Sequence, residues 1–378
     1  MSRNEIEARL APGVSSIAQE DWDRCAGGLD PFLSHAFLSA LEDSGSAVGA
    51  KGWQPVPLVI DGGDSRPAAV APAYAKSHSQ GEYVFDHGWA DAYERAGGSY
   101  YPKLQIAVPF TPVPGRRLLA AGEEHALGLI AAAEAVVRNH GLSSAHATFT
   151  DARDRELFER AGWLIRMDRQ FHWLNEGYRS FDDFLARLSS RKRKAIRKER
   201  SVALEGLEVR HLTGSEIEES HWDTFWLFYQ DTGARKWGRP YLTRSFFSLL
   251  GERLAERVLL IIATRDGTPI AGALNLIGED ALYGRYWGAL EEVPYLHFEI
   301  SYYQAIDYAI ANGLKRVEAG AQGEHKLSRG YLPVPTYSAH FFADRYLRAA
   351  VADYLKSERR AVEHEIAYLR ELSPFRKA

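Results

Sequence analysis

One cysteine, Cys25, is all the chain has, so an internal disulfide is excluded. No cysteine or histidine spacing fits a metal cage, and no metal site is expected. Long hydrophobic runs are also missing. No stretch reaches the roughly 20 apolar residues that cross a bilayer. The opening Met-Ser-Arg-Asn-Glu-Ile-Glu-Ala-Arg-Leu carries no apolar export segment. These absences together lead us to expect a reducing, cytoplasmic location. Charge of one sign is not in excess either. The formal net charge is -4 and the pI about 6.4, which excludes a general nucleic-acid binder and makes any anion recognition local. A Gly-x-Ser-x-Gly nucleophile elbow is absent.

What is present is a chain of 378 residues, long enough for two domains of ordinary size. Nine tryptophans and 19 tyrosines exceed what loops need, so most belong in cores and some line a groove. The first 30 residues read as a polar lead-in, and Pro31 to Glu42 as a short helix. Pro55 to Ile60 and Pro67 to Ala75 read as a hairpin. Tyr83 to Phe85 and Leu104 to Val108 are further strands. Glu123 to His140 is a helix, Ala145 to Thr150 a strand, Ala152 to Ala161 a helix and Trp163 to Leu174 a strand.

Phe181 to Leu204 reads as helix and Leu207 to Leu212 as strand. His221 to Gln230 and Leu242 to Leu254 are helices. The apolar runs from Val258, Ile270 and Ala281, punctuated at Asp266-Gly267 and Glu279-Asp280, predict an antiparallel meander. A helix from about Tyr295 to Asn312 buries Phe298, Tyr302, Ala305, Ile306, Ala309 and Ile310 on one stripe. A strand at Lys315 to Ala319 follows, and Thr336 to Ala343 closes the sheet. Asp344 to Leu372 is one long charged helix.

Helix, Asn139-His-Gly-Leu142 and strand in the first half echo helix, Asn312-Gly-Leu314 and strand in the second. Gly162 answers Gly330, which puts Phe158 where Lys326 stands. The expectation is an α/β chain of two duplicated units, 1–175 and 176–343, with a C-terminal helix at 344–378. Only the second unit keeps a charged site.

That site begins past a strand end, at Glu324-His325-Lys326-Leu-Ser-Arg329. Acyl transfer to an amine needs a base and a stabilised oxyanion, and this segment supplies a carboxylate, an imidazole and two cations. Lys326 and Arg329, three apart, share a helical face. His325 is as readily a structural histidine as a base. Seven Lys or Arg and one Glu lie between Arg191 and Arg200. Arg193, Arg197 and Lys194 suit phosphate; a solvated face is the bland alternative. Glu299, beside His297 at the start of the central helix, either orients a substrate amine or answers the helix dipole. Tyr283, Arg285 and Trp287 alternate on one face of a strand, and either line an acceptor groove or belong to the core with Arg285 reaching out to solvent. In the first half Lys76, His78, Asp86, His87, Trp89, Tyr101 and Lys103 gather polar and aromatic groups around turns, an acceptor pocket in which Asp86 and Lys103 bind substrate.

Two stretches carry a family resemblance. Ser190-Arg-Lys-Arg-Lys-Ala-Ile-Arg-Lys-Glu-Arg200, leading into Gly206-Leu-Glu-Val209, resembles the basic helix of the FemAB-like aminoacyl transferases. Lys326-Leu-Ser-Arg-Gly330 resembles their Lys-x-x-aromatic-Gly segment, with Arg329 in the aromatic position. The resemblance implies a tandem GNAT fold, with mixed, mostly antiparallel sheets flanked by helices. It implies an N-acyltransferase acting by direct attack, with a cell-wall precursor as a candidate amine acceptor. It also implies that Lys326 neutralises the oxyanion or binds a donor phosphate. Where a CoA-dependent GNAT enzyme has a glycine-rich pyrophosphate loop, this chain has Gly288-Ala-Leu-Glu-Glu-Val-Pro-Tyr-Leu-His297. Glu291 and Glu292 repel a pyrophosphate there, so no bound cofactor is expected, which agrees with the family's use of aminoacyl-tRNA; the sequence leaves the activated ester or thioester donor open between aminoacyl-tRNA, acyl-CoA and an acyl carrier. A CoA-dependent acetyltransferase and a non-catalytic binding protein for nucleic acid or cell-wall precursor are the rival readings.

Overall fold

The computed structural model describes all residues except 1–6, 29, 64–65, 237–239, 321–322 and 377–378, and omits the side chains of 232–236 and 324. The chain forms two compact units. One is Met1–Asp168 with Thr336–Glu363; the other is Arg169–Pro335 with His364–Ala378.

In the first unit the strands Trp53–Pro55, Ala73–Lys76 and Lys103–Ile106 pair antiparallel in that order. Lys103–Ile106 then runs parallel to Ser144–Thr150. A parallel pair requires a crossover, and helix Glu123–Asn139 supplies it. Its Ala126, Leu129, Ile130, Ala133 and Val137 recur at three and four and are buried on one stripe. The strand Leu332–Phe342 completes the sheet, with Tyr337 opposite Thr150 and Phe342 opposite Ser144. This corrects the expectation that residues 336–343 close the second unit's sheet.

The second unit repeats the order. Glu208–Leu212, Val258–Arg265, Thr268–Ile277 and Ala281–Ala289 form an antiparallel meander. Asp266 and Gly267 both take positive φ, 49° and 76°, as a two-residue hairpin turn that matches strand twist requires. A helical crossover follows, and Arg316–Glu318 then runs parallel to residues 281–283. Strand Leu164–Leu174 adds antiparallel through His172 and Leu174. The glycine echo has a structural counterpart. Gly141 and Gly313 both stop their crossover helices in the left-handed region, at φ 65° and 67°. Leu142 and Leu314 behind them are buried.

The second unit's core joins Leu259, Ile261, Leu282 and Val317 of the sheet to Ile300, Ile306 and Ala309 of the crossover. Burying each large side chain is worth about 1.5–3 kcal/mol. Ile306→Ala would cost roughly 2–5 kcal/mol, because the packed neighbours cannot collapse into the gap.

Several elements differ from the sequence reading. The lead-in holds a strand, Ala8–Leu10, and a helix, Gln19–Ala26. Tyr83 to Phe85 is not a strand; Gly81 and Tyr83 take positive φ, which breaks extension. Residues 87–95 are helical. Pro72, which has no N–H, divides the expected 67–75 strand into Pro67–Ala71 and Ala73–Lys76. Phe181 to Leu204 divides into helices Phe181–Arg187 and Ser190–Ala203. No helix of the described residues is long and apolar enough to cross a membrane.

Candidate active site

The second unit's parallel strands pair for only three residues. Ala281, Leu282 and Tyr283 lie opposite Arg316, Val317 and Glu318. Beyond that point a pocket of about 110 Å³ opens, lined by Asn275, Arg285, Trp287, His297, Ser301 and Tyr302 among others. Its floor is shaped by a bulge. Leu274 lies opposite Tyr286 and Asn275 opposite Gly284, so Arg285 is the extra residue. An extra residue re-aims the strand. Tyr283, Arg285 and Trp287 therefore do not share the one face that simple alternation predicts. Arg285 and Trp287 line the pocket, whereas Tyr283 is buried and its hydroxyl accepts from Arg316 at 3.4 Å.

The crossover helix is not uniform. Leu296–Phe298 is α, Glu299–Tyr303 a π turn and Gln304–Ala311 α again. Such a turn inserts a residue and shifts the pocket-facing positions, a recurrent device at functional sites. Ser301 sits in it, and its Oγ is buried without a hydrogen-bond partner among the described residues.

The segment after the strand forms a 3-10 turn, Glu324–Arg329. Residues three apart eclipse in that geometry, so Lys326 and Arg329 project alike. Lys326 is buried, and its ammonium donates to the carbonyls of Ala319 and Gly320. Ala319 also lines the pocket. Arg329 Nη2 donates to both carboxylate oxygens of Glu199 on the basic helix, at 2.9 and 2.8 Å, and the guanidinium carbon lies 3.4 Å from the Phe298 ring centre. This ion pair ties the turn to the basic helix. His325 is exposed and its Nε2 lies 3.0 Å from the Tyr302 hydroxyl. The side chain of Glu324 lies outside the described residues.

Glu299 is buried and fully engaged. Arg200 donates to it at 2.9–3.2 Å and Gln304 at 2.7 Å. Burial pushes its carboxyl above the ordinary range, and Arg200 pulls it back. The basic helix thus has two sides. Ile196, Glu199 and Arg200 face the unit's interior contacts, while Lys194, Arg197 and Lys198 are exposed. Arg197 pairs with Asp182 at 2.7 Å. Arg193 and Lys194 form no ion pair among the described residues. In the expected pyrophosphate loop, Glu291 pairs with Arg265, which partly offsets its charge, and Glu292 is exposed.

In the first unit Asp86 and Lys103 do come together, but away from solvent. Lys103 Nζ donates to Asp86 at 2.5 Å, Glu82 at 2.7 Å and Ser79 at 2.7 Å, with the ammonium side chain 0% exposed. Lys76 stands 3.8 Å from Glu82 and 3.6 Å from the Trp53 ring centre. Burial lowers Lys76 to about 7 and raises Glu82 to about 7, each moderated by opposite charge. Burial works against Asp86 ionising, yet Lys103 holds it below the ordinary carboxylate range. Trp89 packs edge-on against His340, and the half-buried His78 hydrogen-bonds the Lys51 carbonyl at 3.1 Å. Tyr101 meets Ser79 at 2.8 Å, and His87 is exposed.

Sequence reasoning did not single out Asn275, Ser301, His172, Arg316 or Glu318. Two signals were available: an amide inside the apolar run from Ile270 to Ile277, and two opposite charges in the three-residue strand Arg316–Glu318. His172 lay hidden in an eleven-residue strand of mixed character.

A FemAB-like family model, described as peptidoglycan biosynthesis and recognition, matches residues 13–377. No curated protein matches the chain. Among solved structures the chain is similar to FemX, at 12% identity over 89% of this chain and 98% of that one, with a TM-score of 0.56. It is similar to the C-terminal domain of a putative lysylphosphatidylglycerol synthetase from Agrobacterium fabrum, at 11% identity, 89% and 96% coverage, TM-score 0.54. The same holds for L-PGS from Bacillus licheniformis, at 11% identity, 86% and 96% coverage, TM-score 0.51.

Proposed function

Because the chain belongs to the FemAB-like family of peptidoglycan biosynthesis and recognition, we propose that it transfers an aminoacyl group from aminoacyl-tRNA to an amine of a peptidoglycan precursor in the cytoplasm. Acyl transfer is the family's reaction class; donor and acceptor are the proposal. One observation carries it: the pocket beyond the opened strand pair is lined by Ala319, whose carbonyl accepts from the Lys326 ammonium.

The donor's ester carbonyl enters the opened pair. The acceptor amine attacks its carbon, a C–N bond forms, and the carbonyl π pair moves to oxygen. Lys326 sets a fixed positive charge near that oxygen, where negative charge exists only in the transition state and intermediate. Collapse restores C=O and breaks the C–O bond to the ribose, whose oxygen takes the proton released by the amine. Arg285, Trp287, His297 and Tyr302 hold the acyl part, and Arg193, Lys194 and Arg197 meet phosphates. His325 is a further candidate proton carrier. Arg329 keeps the Lys326 turn in place through Glu199, a positioning role. Glu299 is committed to Arg200, which favours the structural reading of that residue over direct amine binding.

The test is a matrix of donors and one acceptor class. Aminoacyl-tRNAs charged with single labelled amino acids, and acetyl-CoA, are each offered with a nucleotide-linked muropeptide bearing a free amine. An amide product from aminoacyl-tRNA alone is expected. Product from acetyl-CoA alone would establish the CoA-dependent alternative. Precursor or tRNA binding without any amide product would make the chain a binding protein.

A further inference from the structure

Glu318 is the last paired residue before the parallel strands separate, with Tyr283 opposite on one side and His172 opposite on the other. Its side chain is 5% exposed. Arg316 Nε donates to Oε1 at 2.8 Å, and the same guanidinium reaches Asp280 at 2.5 Å. Oε2 is buried with no hydrogen-bond partner among the described residues. His172 Nε2 stands 3.6 Å from that oxygen and 3.4 Å from Gln170 Oε1. One guanidinium therefore serves two carboxylates, and one carboxylate oxygen is left over. Leaving a buried acceptor unmet costs about 1–3 kcal/mol, and more for a charged group. A fold tolerates that readily where the group has work to do.

Acyl transfer to an amine needs such a group, because a primary amine near neutral pH carries an extra proton and no nucleophilic lone pair. We infer that Glu318 is the proton acceptor for the attacking amine, and that His172 positions its carboxylate. The inference rests on the acyl-transfer reading and adds the group that takes the first proton, the one the ammonium must lose before it attacks. The step balances: R–NH3+ gives one proton to Oε2, leaving R–NH2 and a neutral carboxylic acid. The amine lone pair then forms the C–N bond, and the acid returns its proton to water after product leaves. The groups facing Glu318 and His172 are Arg316 on the same strand, Asp280, Arg285 and, from the turn beyond the strand, Lys326. Burial raises the Glu318 carboxyl against the pull of Arg316. Burial first, then Arg316 and Lys326, lowers His172 to about 3, so the imidazole stays neutral and does not compete for the proton.

A purely structural ion chain is the rival, and Glu318→Gln separates the two because it keeps shape while removing basicity. The assay is the pH dependence of kcat/KM for the donor and acceptor that the wild type turns over. A drop of roughly 10²–10⁴ is expected, the range that general acid–base catalysis contributes, with loss of the acid limb. His172→Gln should keep the limb and move its midpoint. A second readout is the infrared difference between wild type and Glu318→Gln. A protonated-carboxyl band titrating above the ordinary glutamate range is expected, and its absence overturns the inference. Retention of wild-type kcat/KM, or of an unchanged acid limb, in Glu318→Gln overturns it as well. A wild type that forms no amide from any donor removes the acyl-transfer reading, and this inference with it.

Discussion

Replacing Lys103 by methionine removes one ammonium from between two buried carboxylates. Glu82 and Asp86 lie 2.7 and 2.5 Å from that ammonium, and the other buried amine, Lys76, lowered by burial to about 7, is 3.8 Å from Glu82. Breaking a buried pair by removing one partner costs about 3–5 kcal/mol. For a unit of this size each kcal/mol shifts Tm by about 2–4 °C, so a fall of roughly 6–20 °C at pH 8 is expected. The pH dependence has a definite sign. In the wild type Lys103 holds Asp86 below its unfolded pKa of about 3.9. That stability is present above the unfolded value and is lost as pH falls through the folded one. In Lys103→Met both carboxyls rise above their unfolded values, so their contribution is full in acid and is lost as pH rises. The gap between the two proteins should therefore narrow from pH 8 to pH 4. Calorimetry across that range measures it. A deficit below about 1 kcal/mol at pH 8, or one that widens towards acid, would refute the closed-network reading.

Arg200→Ala should cost about 3–5 kcal/mol in urea unfolding, because Glu299 stays buried with Gln304 as its one remaining bond among those described; a loss under 1 kcal/mol would contradict this. Acetyl-CoA should bind weakly, since Glu292 stands in the expected pyrophosphate loop and Glu291 is only partly offset by Arg265. Calorimetric binding at about 1 μM or tighter, near -8 kcal/mol, would count against the aminoacyl-tRNA donor. Arg193→Ala with Arg197→Ala should weaken tRNA binding and flatten its salt dependence by about one unit of slope per lost contact, with little change in Tm. Unchanged affinity and slope would leave this helix as a solvated face.

Local pattern made much of the second unit legible. The meander, its Asp266-Gly267 turn and the Gly313 stop follow from residue choice alone, as does the Gly141 stop in the first unit, because left-handed positions and tight turns admit few residues. The bulge at Arg285 was not legible: an extra residue appears only when the partner strand's register is known. Nor could the sequence pair Glu318 with His172, or Lys103 with Glu82, since those contacts join segments brought together by the sheet. Asp86 and Lys103 looked like open-loop polar residues because nothing in their neighbours announces burial. Lys326 was legible as a candidate from its place past a strand end, but the carbonyls that fix it were not.

In the proposed reaction Lys326 stabilises charge that develops during acyl transfer at the opened strand pair. Steady-state kinetics of Lys326→Met, on the first aminoacyl donor and amine acceptor found to turn over, tests it most directly. A group that acts only on the transition state changes kcat far more than KM. The expected result is a kcat lower by about 10²–10³, or roughly 3–4 kcal/mol, with KM nearly unchanged and little rescue by Lys326→Arg. Near wild-type kcat in Lys326→Met, with the fold intact, would contradict the claim and move the chemistry away from this turn.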